Sequence, residues 1–136
     1  QGGALLAGGT DLIVRMKQRL TSPHVIINLK GVEELRGIRK AKDGSLIIGA
    51  LTRISELLDS PVIKKKYSGL YQAAEAVAAP PLQHMGTVGG NLLQETRCLY
   101  YNQTDMWRRS KPVCYKAGGD TCNAVKGGQH CFATYQ

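Results

Sequence analysis

The chain has 136 residues, 43% hydrophobic and 21% charged, proportions that fit one globular domain, or a two-lobed one, with a sizeable core. No run of eighteen apolar residues is present, which excludes membrane insertion by a spanning helix, and the opening Gln1-Gly2-Gly3-Ala4 lacks the basic and apolar regions of a secretory signal. The formal net charge of +8 divides as 12 Lys and Arg against 8 Asp and Glu in residues 1–96 and 6 against 2 in residues 97–136, an excess of four in each part that leaves the shorter tail the more basic.

Ala4 to Ala7 is a short apolar run ending at Gly8-Gly9, the pattern of a buried strand stopped by a tight turn. Thr10 stands at the N-cap position of a helix from about Asp11 to Arg19, which Ser22-Pro23 breaks. Val25-Ile26-Ile27 reads as a second buried strand. Ile38 and the residues after it lead through the Asp43-Gly44 turn into Leu46-Ile47-Ile48-Gly49, a hairpin. Thr52 is the expected cap of a helix with Ile54, Leu57 and Leu58 on one face, ending at Ser60-Pro61. Lys64-Lys65-Lys66 reads as a solvated surface turn.

The Ala-rich stretch from Leu70 to Ala79 predicts a further helix, stopped by Pro80-Pro81. Beyond Leu93 the apolar periodicity ends, and six of the eight aromatic residues follow: Tyr100, Tyr101, Trp107, Tyr115, Phe132 and Tyr135. A loop of about forty residues without a core pattern is usually functional or cross-linked. The predicted class is α+β. A start at Gln1 rather than at methionine, and an end five residues after the last cysteine, suggest a piece of a longer protein.

Two glycine motifs stand out. Ala7-Gly8-Gly9-Thr10-Asp11 follows the first strand, and Gly86-Thr87-Val88-Gly89-Gly90-Asn91 follows the Pro-Pro break. Glycine lets a backbone approach a phosphate closely, and N–H groups left unpaired at a helix start attract an anion. Neither motif is a dinucleotide fingerprint or a Walker loop, and an ordinary capped turn or connecting loop explains each when it is read alone.

Four cysteines, Cys98, Cys114, Cys122 and Cys131, follow 97 residues without one and are spaced C-x15-C-x7-C-x8-C. Disulfides need an oxidising compartment, which nothing else suggests. Structural zinc normally uses a close C-x2–4-C pair, absent here. Thiolates around an iron–sulfur cluster tolerate irregular spacing. The residues alone leave cluster, zinc and disulfides open. Four metal-bound thiolates would also offset the positive excess of the tail. His130 beside Cys131 is a possible outside ligand.

The pair A-G-G-T-D-L at 7–12 and T-V-G-G-N at 87–91 resembles the FAD-binding medium subunit of the molybdenum hydroxylases, the xanthine and carbon monoxide dehydrogenase family. T-R-C-L-Y-Y-N-Q at 96–103, three more cysteines and C-F-A-T-Y at 131–135 resemble, within it, the beta subunit of 4-hydroxybenzoyl-CoA reductase. The resemblance implies a two-lobed α+β FAD fold of the vanillyl-alcohol oxidase type with a cysteine-rich loop insertion. Residues 1–50 would be the first lobe, 51–96 the start of the second, and 97–136 an iron–sulfur loop. Leu5, Leu6, Ala7, Gly8, Gly9, Thr10, Asp11 and Leu12 would bind FAD from the first lobe, and Gly86, Thr87, Gly90 and Asn91 from the second. Cys98, Cys114, Cys122 and Cys131 would ligate a [4Fe-4S] cluster.

The implied function is cytoplasmic electron relay with no bond-making in this chain. A ferredoxin-like donor would feed the cluster and FAD. Electrons would go on to a small [2Fe-2S] subunit and a large molybdopterin subunit, where an aromatic acyl-CoA such as 4-hydroxybenzoyl-CoA is reductively dehydroxylated. Two alternatives remain. A xanthine or aldehyde dehydrogenase-type subunit would pass electrons to NAD, and a zinc-loop nucleic-acid-binding module would use the basic, aromatic tail.

Overall fold

The computed structural model describes residues 2–133; Tyr135 and the end of the C-F-A-T-Y motif lie outside them. It is an α+β structure in two compact units. The first comprises residues 2–12 and 23–93, the second residues 13–22 and 94–133. The boundary expected between residues 50 and 51 is therefore not where the units divide. The reason is packing: Ile38, Leu46 and Ile48 from before that point rest on Ile54, Leu57 and Ile63 from beyond it.

In the first unit, β1 (Ala4–Leu6) pairs in parallel with β2 (Ile26–Asn28), Leu5 opposite Ile27. The second strand is not buried as expected, since Ile26 and Ile27 are 42% and 50% exposed. Two parallel strands keep both faces open unless further layers cover them. The expected hairpin forms: β3 (Ile38–Lys40) runs antiparallel to β4 (Leu46–Ile48), with Arg39 opposite Ile47. Its turn is held by Asp43, whose carboxylate accepts from the Ser45 backbone N–H at 2.9 Å and hydroxyl at 2.7 Å.

Helices supply the core. Ile54, Leu57, Ile63 and Ala74 are its buried members. They come from α2 (Ile54–Leu58), α3 (Pro61–Lys66) and α4 (Ser68–Glu75). Thr52 is not the cap of α2. It is fully buried and its hydroxyl donates to Gly37 O at 3.0 Å. The start of α2 is closed instead by Glu56, which accepts from the Arg53 backbone N–H at 2.7 Å, the returning half of a capping box.

Four further expectations are corrected here. Lys64, Lys65 and Lys66 form the last turn of α3, where cations complement the helix dipole. The Ala-rich helix ends at Glu75. Pro80 and Pro81 open α5 (Pro80–Met85) rather than only ending its predecessor, because proline at the first helical positions lacks an N–H that would be unpaired there anyway. The second glycine motif also becomes helical, as α6 (Val88–Leu92), capped by Thr87.

The second unit holds most of α1 (Leu12–Lys17), whose buried member is Arg15, together with α7 (Asp105–Arg109) and a 3-10 turn at Tyr115–Ala117. Its described residues include no buried apolar side chain; Arg15 and Thr96 are the buried ones. Among the described residues no helix is long and apolar enough to cross a membrane.

Candidate functional sites

The two glycine motifs meet in the first unit. Gly8 lies so close to the second motif that a Cβ on it would stand 2.0 Å from Met85 O and 3.1 Å from Gly86 Cα, a contact that only glycine permits. The second motif is strapped to the residues before α2 by backbone bonds: Ile54 N–H to Gly86 O at 3.0 Å, Val88 N–H to Thr52 O at 2.8 Å and Gly89 N–H to Ala50 O at 2.8 Å. Thr87 Oγ1 accepts from Gly90 N–H at 3.2 Å.

A cavity of about 120 Å³ opens where the motifs touch, lined by Ala7, Gly8, Lys30, Arg36, Leu51, Arg53, His84, Met85 and Thr87. Its wall includes three basic residues, Lys30, Arg36 and Arg53, of which Arg36 is also paired with the Glu33 carboxylate at 3.5 Å. Such a pocket suits a phosphate or diphosphate, since guanidinium groups match phosphate oxygens and glycine leaves backbone within reach. Of the expected FAD residues, Ala7, Gly8 and Thr87 line it. Gly86 and Gly90 do not line it; a Cβ on Gly86 would stand 3.6 Å from Thr10 Oγ1, and one on Gly90 would stand 4.0 Å from Ala7 Cβ. Leu5, Leu6, Gly9, Asp11, Leu12 and Asn91 do not line it, and Leu5 is 59% exposed. Sequence reasoning missed Lys30, Arg36, Arg53 and His84, which stand in separate segments with no shared motif.

In the second unit all four cysteines line one cavity of about 660 Å³, with Arg97, Tyr100, Tyr101, Tyr115, Lys116 and Phe132 also on its wall. Cys98, Cys114 and Cys122 are half-buried and Cys131 is exposed. Local turns aim them. Cys98 O accepts from Tyr101 N–H at 3.1 Å and Asn102 N–H at 2.8 Å. Cys114 O accepts from Ala117 and Gly119 N–H, both at 2.9 Å. The backbone of Cys114 pairs with Thr121, next to Cys122. His130 does not line the cavity; its ring packs on Phe132 with centroids 4.0 Å apart.

Among the described residues no three His, Cys, Asp or Glu side chains are grouped to hold a metal ion. A single tetrahedral zinc would draw four sulfurs to roughly 3.8 Å from one another, given Zn–S near 2.3 Å. Four thiols on the wall of one cavity match the donor set of a four-thiolate iron–sulfur centre.

Beside this cavity lies Glu95. Burial pushes its carboxyl up, but the Tyr101 hydroxyl, the Lys116 ammonium and the Arg15 guanidinium together outweigh burial and hold it below its ordinary value of 4.5. Tyr101 is pushed up from 10.0 to about 12, by burial first and then by donating to the Glu95 carboxylate.

A basic pocket closed by Gly8 and a cavity lined by four thiols are the two candidate sites. Residues 1–129 match the family described as FAD binding domain in molybdopterin dehydrogenase, and the chain belongs to that family. It is 38% identical over 89 residues to the nicotinate dehydrogenase FAD-subunit of Eubacterium barkeri, a match over 65% of this chain and 30% of that protein. It is 34% identical over 126 residues to the aldehyde oxidoreductase FAD-binding subunit of Escherichia coli strain K12, over 93% of this chain and 38% of that one. Among solved structures, the carbon monoxide dehydrogenase of Hydrogenophaga pseudoflava lacking the Mo-pyranopterin moiety matches with a TM-score of 0.63 and 37% identity, over 66% of this chain and 31% of that one. The chain thus spans about 30% of the length of the first of these relatives.

Proposed function

We propose that this chain is the electron-transfer flavoprotein part of a molybdenum-dependent oxidoreductase and holds two centres, FAD and a [4Fe-4S] cluster. The observation that carries the second centre is the convergence of all four irregularly spaced cysteines on one cavity. When bound, the two groups supply the electron-transfer chemistry, while the protein supplies binding, spacing and environment. The segments at Leu5 to Leu12 and at Gly86, Thr87, Gly90 and Asn91 would carry the flavin in a fold of the vanillyl-alcohol oxidase type, with Ala7, Gly8 and Thr87 on the wall that takes its diphosphate. Lys30, Arg36 and Arg53 neutralise its charge. Residues 97–136 form the cysteine-rich insertion, in which Cys98, Cys114, Cys122 and Cys131 ligate iron.

The partners in this reading are a small [2Fe-2S] subunit and a large molybdopterin subunit in the cytoplasm. A ferredoxin-like donor feeds them for reductive dehydroxylation of 4-hydroxybenzoyl-CoA or a similar aromatic acyl-CoA. A second reading is an aldehyde dehydrogenase-type subunit. It is favoured by the aldehyde oxidoreductase relative, whose match over 126 of 136 residues has to include Cys98, Cys114 and Cys122. The zinc-loop nucleic-acid module loses its ground with the family membership.

The test measures iron, zinc, acid-labile sulfide and flavin together on the full-length parent chain purified without oxygen. About four iron and four sulfide per chain are expected of a four-thiolate cubane, with bound FAD. Cys114→Ser should lose iron and keep flavin. Zinc without sulfide or flavin would sink the reading. Reduction of the intact complex by aldehydes, against oxidation by aromatic acyl-CoA, separates the two substrate classes.

A further inference from the structure

Glu95 joins three segments of the second unit. Its Oε2 lies 3.8 Å from Arg15 Nη1, and its Oε1 lies 3.5 Å from Lys116 Nζ. The Tyr101 hydroxyl donates to the same carboxylate. Arg15 is only 8% exposed, and a buried guanidinium without an anion is strongly unfavourable. The Lys116 ammonium also stands 6.0 Å from the Tyr101 ring centre, at the edge of the range in which a cation is drawn to a π-face.

The two residues that Glu95 gathers sit on the turns that carry thiols. Tyr101 closes the turn that begins at Cys98, through its N–H to Cys98 O at 3.1 Å. Lys116 lies in the 3-10 turn capped by Cys114. Fifteen residues separate those two cysteines, yet their turns meet at one carboxylate. Tyr101 and Lys116 line the thiol cavity, while Glu95 stands outside it. Other acids of the unit are engaged elsewhere: Asp105 with Arg108 and Arg109, and Asp120 with Thr121.

We propose that Glu95 is a positioning residue that, through Tyr101 and Lys116, fixes the separation of the Cys98 and Cys114 thiols across their shared cavity. The role rests on the reading of those thiols as cluster ligands. Glu95 touches no iron in this account. It holds the two turns against each other so that the unloaded site keeps its width.

The experiment uses the full-length parent protein, prepared without oxygen. Iron, sulfide, FAD and the reduction potential are measured for the wild type, Glu95→Ala, Glu95→Gln and Tyr101→Phe. In parallel, iron-free protein carrying Cys122→Ser and Cys131→Ser is treated with a short bifunctional maleimide, and the Cys98–Cys114 cross-link is counted. Glu95→Ala should lose iron and cross-link several-fold while FAD stays bound. Glu95→Gln can still accept from Tyr101; it should keep most of the iron and shift the potential to more positive values, because a nearby negative charge has gone. Tyr101→Phe should weaken the cross-link in the same direction, which keeps the idea testable if Glu95→Ala does not fold.

Unchanged iron and cross-link in Glu95→Ala, or loss of FAD in step with iron, would overturn the positioning role. A wild type without iron and sulfide would overturn the cluster reading instead, and the cross-link yield would still decide the role of Glu95.

Discussion

Gly8 shows how much can depend on one missing methyl group. Its Cβ would stand 2.0 Å from Met85 O, so Gly8→Ala has to push the two glycine motifs apart. Overpacking of this kind costs about 1–3 kcal/mol. Denaturant unfolding of the parent chain should register that loss, together with a fall in bound FAD. Tyr101 gives a second test at the same scale. Because its folded value is raised from 10.0 to about 12, the stability it contributes is complete below pH 10 and is lost as the pH climbs toward 12. The stability difference between wild type and Tyr101→Phe should therefore hold steady up to pH 10 and close above it. Glu95 behaves oppositely. Held below 4.5, it contributes fully above that pH and loses its contribution as the pH falls through its folded value.

At the level of elements, α6 carries the sharper comparison. A Cβ on Gly89 would meet Ala50 Cβ at 2.8 Å and Ala50 O at 3.0 Å, whereas one on Gly90 would meet chiefly the Thr87 hydroxyl, at 2.9 Å. Alanine is favoured over glycine inside a helix by about 1 kcal/mol. At position 89 rigid neighbours outweigh that gain; at 90 a side chain can turn away. Gly89→Ala should lower the melting temperature more than Gly90→Ala, as calorimetry of the two variants would show. The same helix explains part of what the sequence concealed. Its glycines argue against a helix by propensity, and only the backbone straps to residues 50–54 impose one. Pro80-Pro81 was legible as a break but not as a beginning. The hairpin at Asp43-Gly44 and the apolar face at Ile54 and Leu57 were legible because their determinants are local. Lys30, Arg36, Arg53 and His84 were not, since four separate segments must fold before they share a wall.

Over the whole molecule, the two units draw on different sources of stability. The first has a buried apolar cluster around Leu57, which is 2% exposed. The described residues of the second bury Arg15 and Thr96 and no apolar side chain. A unit of this composition has to rely on its hydrogen bonds, its charge group and whatever its thiols bind. With iron on the thiols as proposed, stripping it from the parent protein with a chelator should raise amide exchange across residues 94–133 while residues 54–75 stay protected. Equal loosening of both regions would contradict that division.

The descent of Arg15 from the N-terminal part of the chain into the second unit has a consequence for biosynthesis. A ribosome releases Arg15 long before Glu95 exists to receive it. Until then the guanidinium has no reason to leave water, and residues 23–93 can complete their own core first. The thiol-bearing unit can close only once translation has passed Glu95, Cys98 and Cys114. The segment around Arg15 therefore waits for residue 95 before it can find its place.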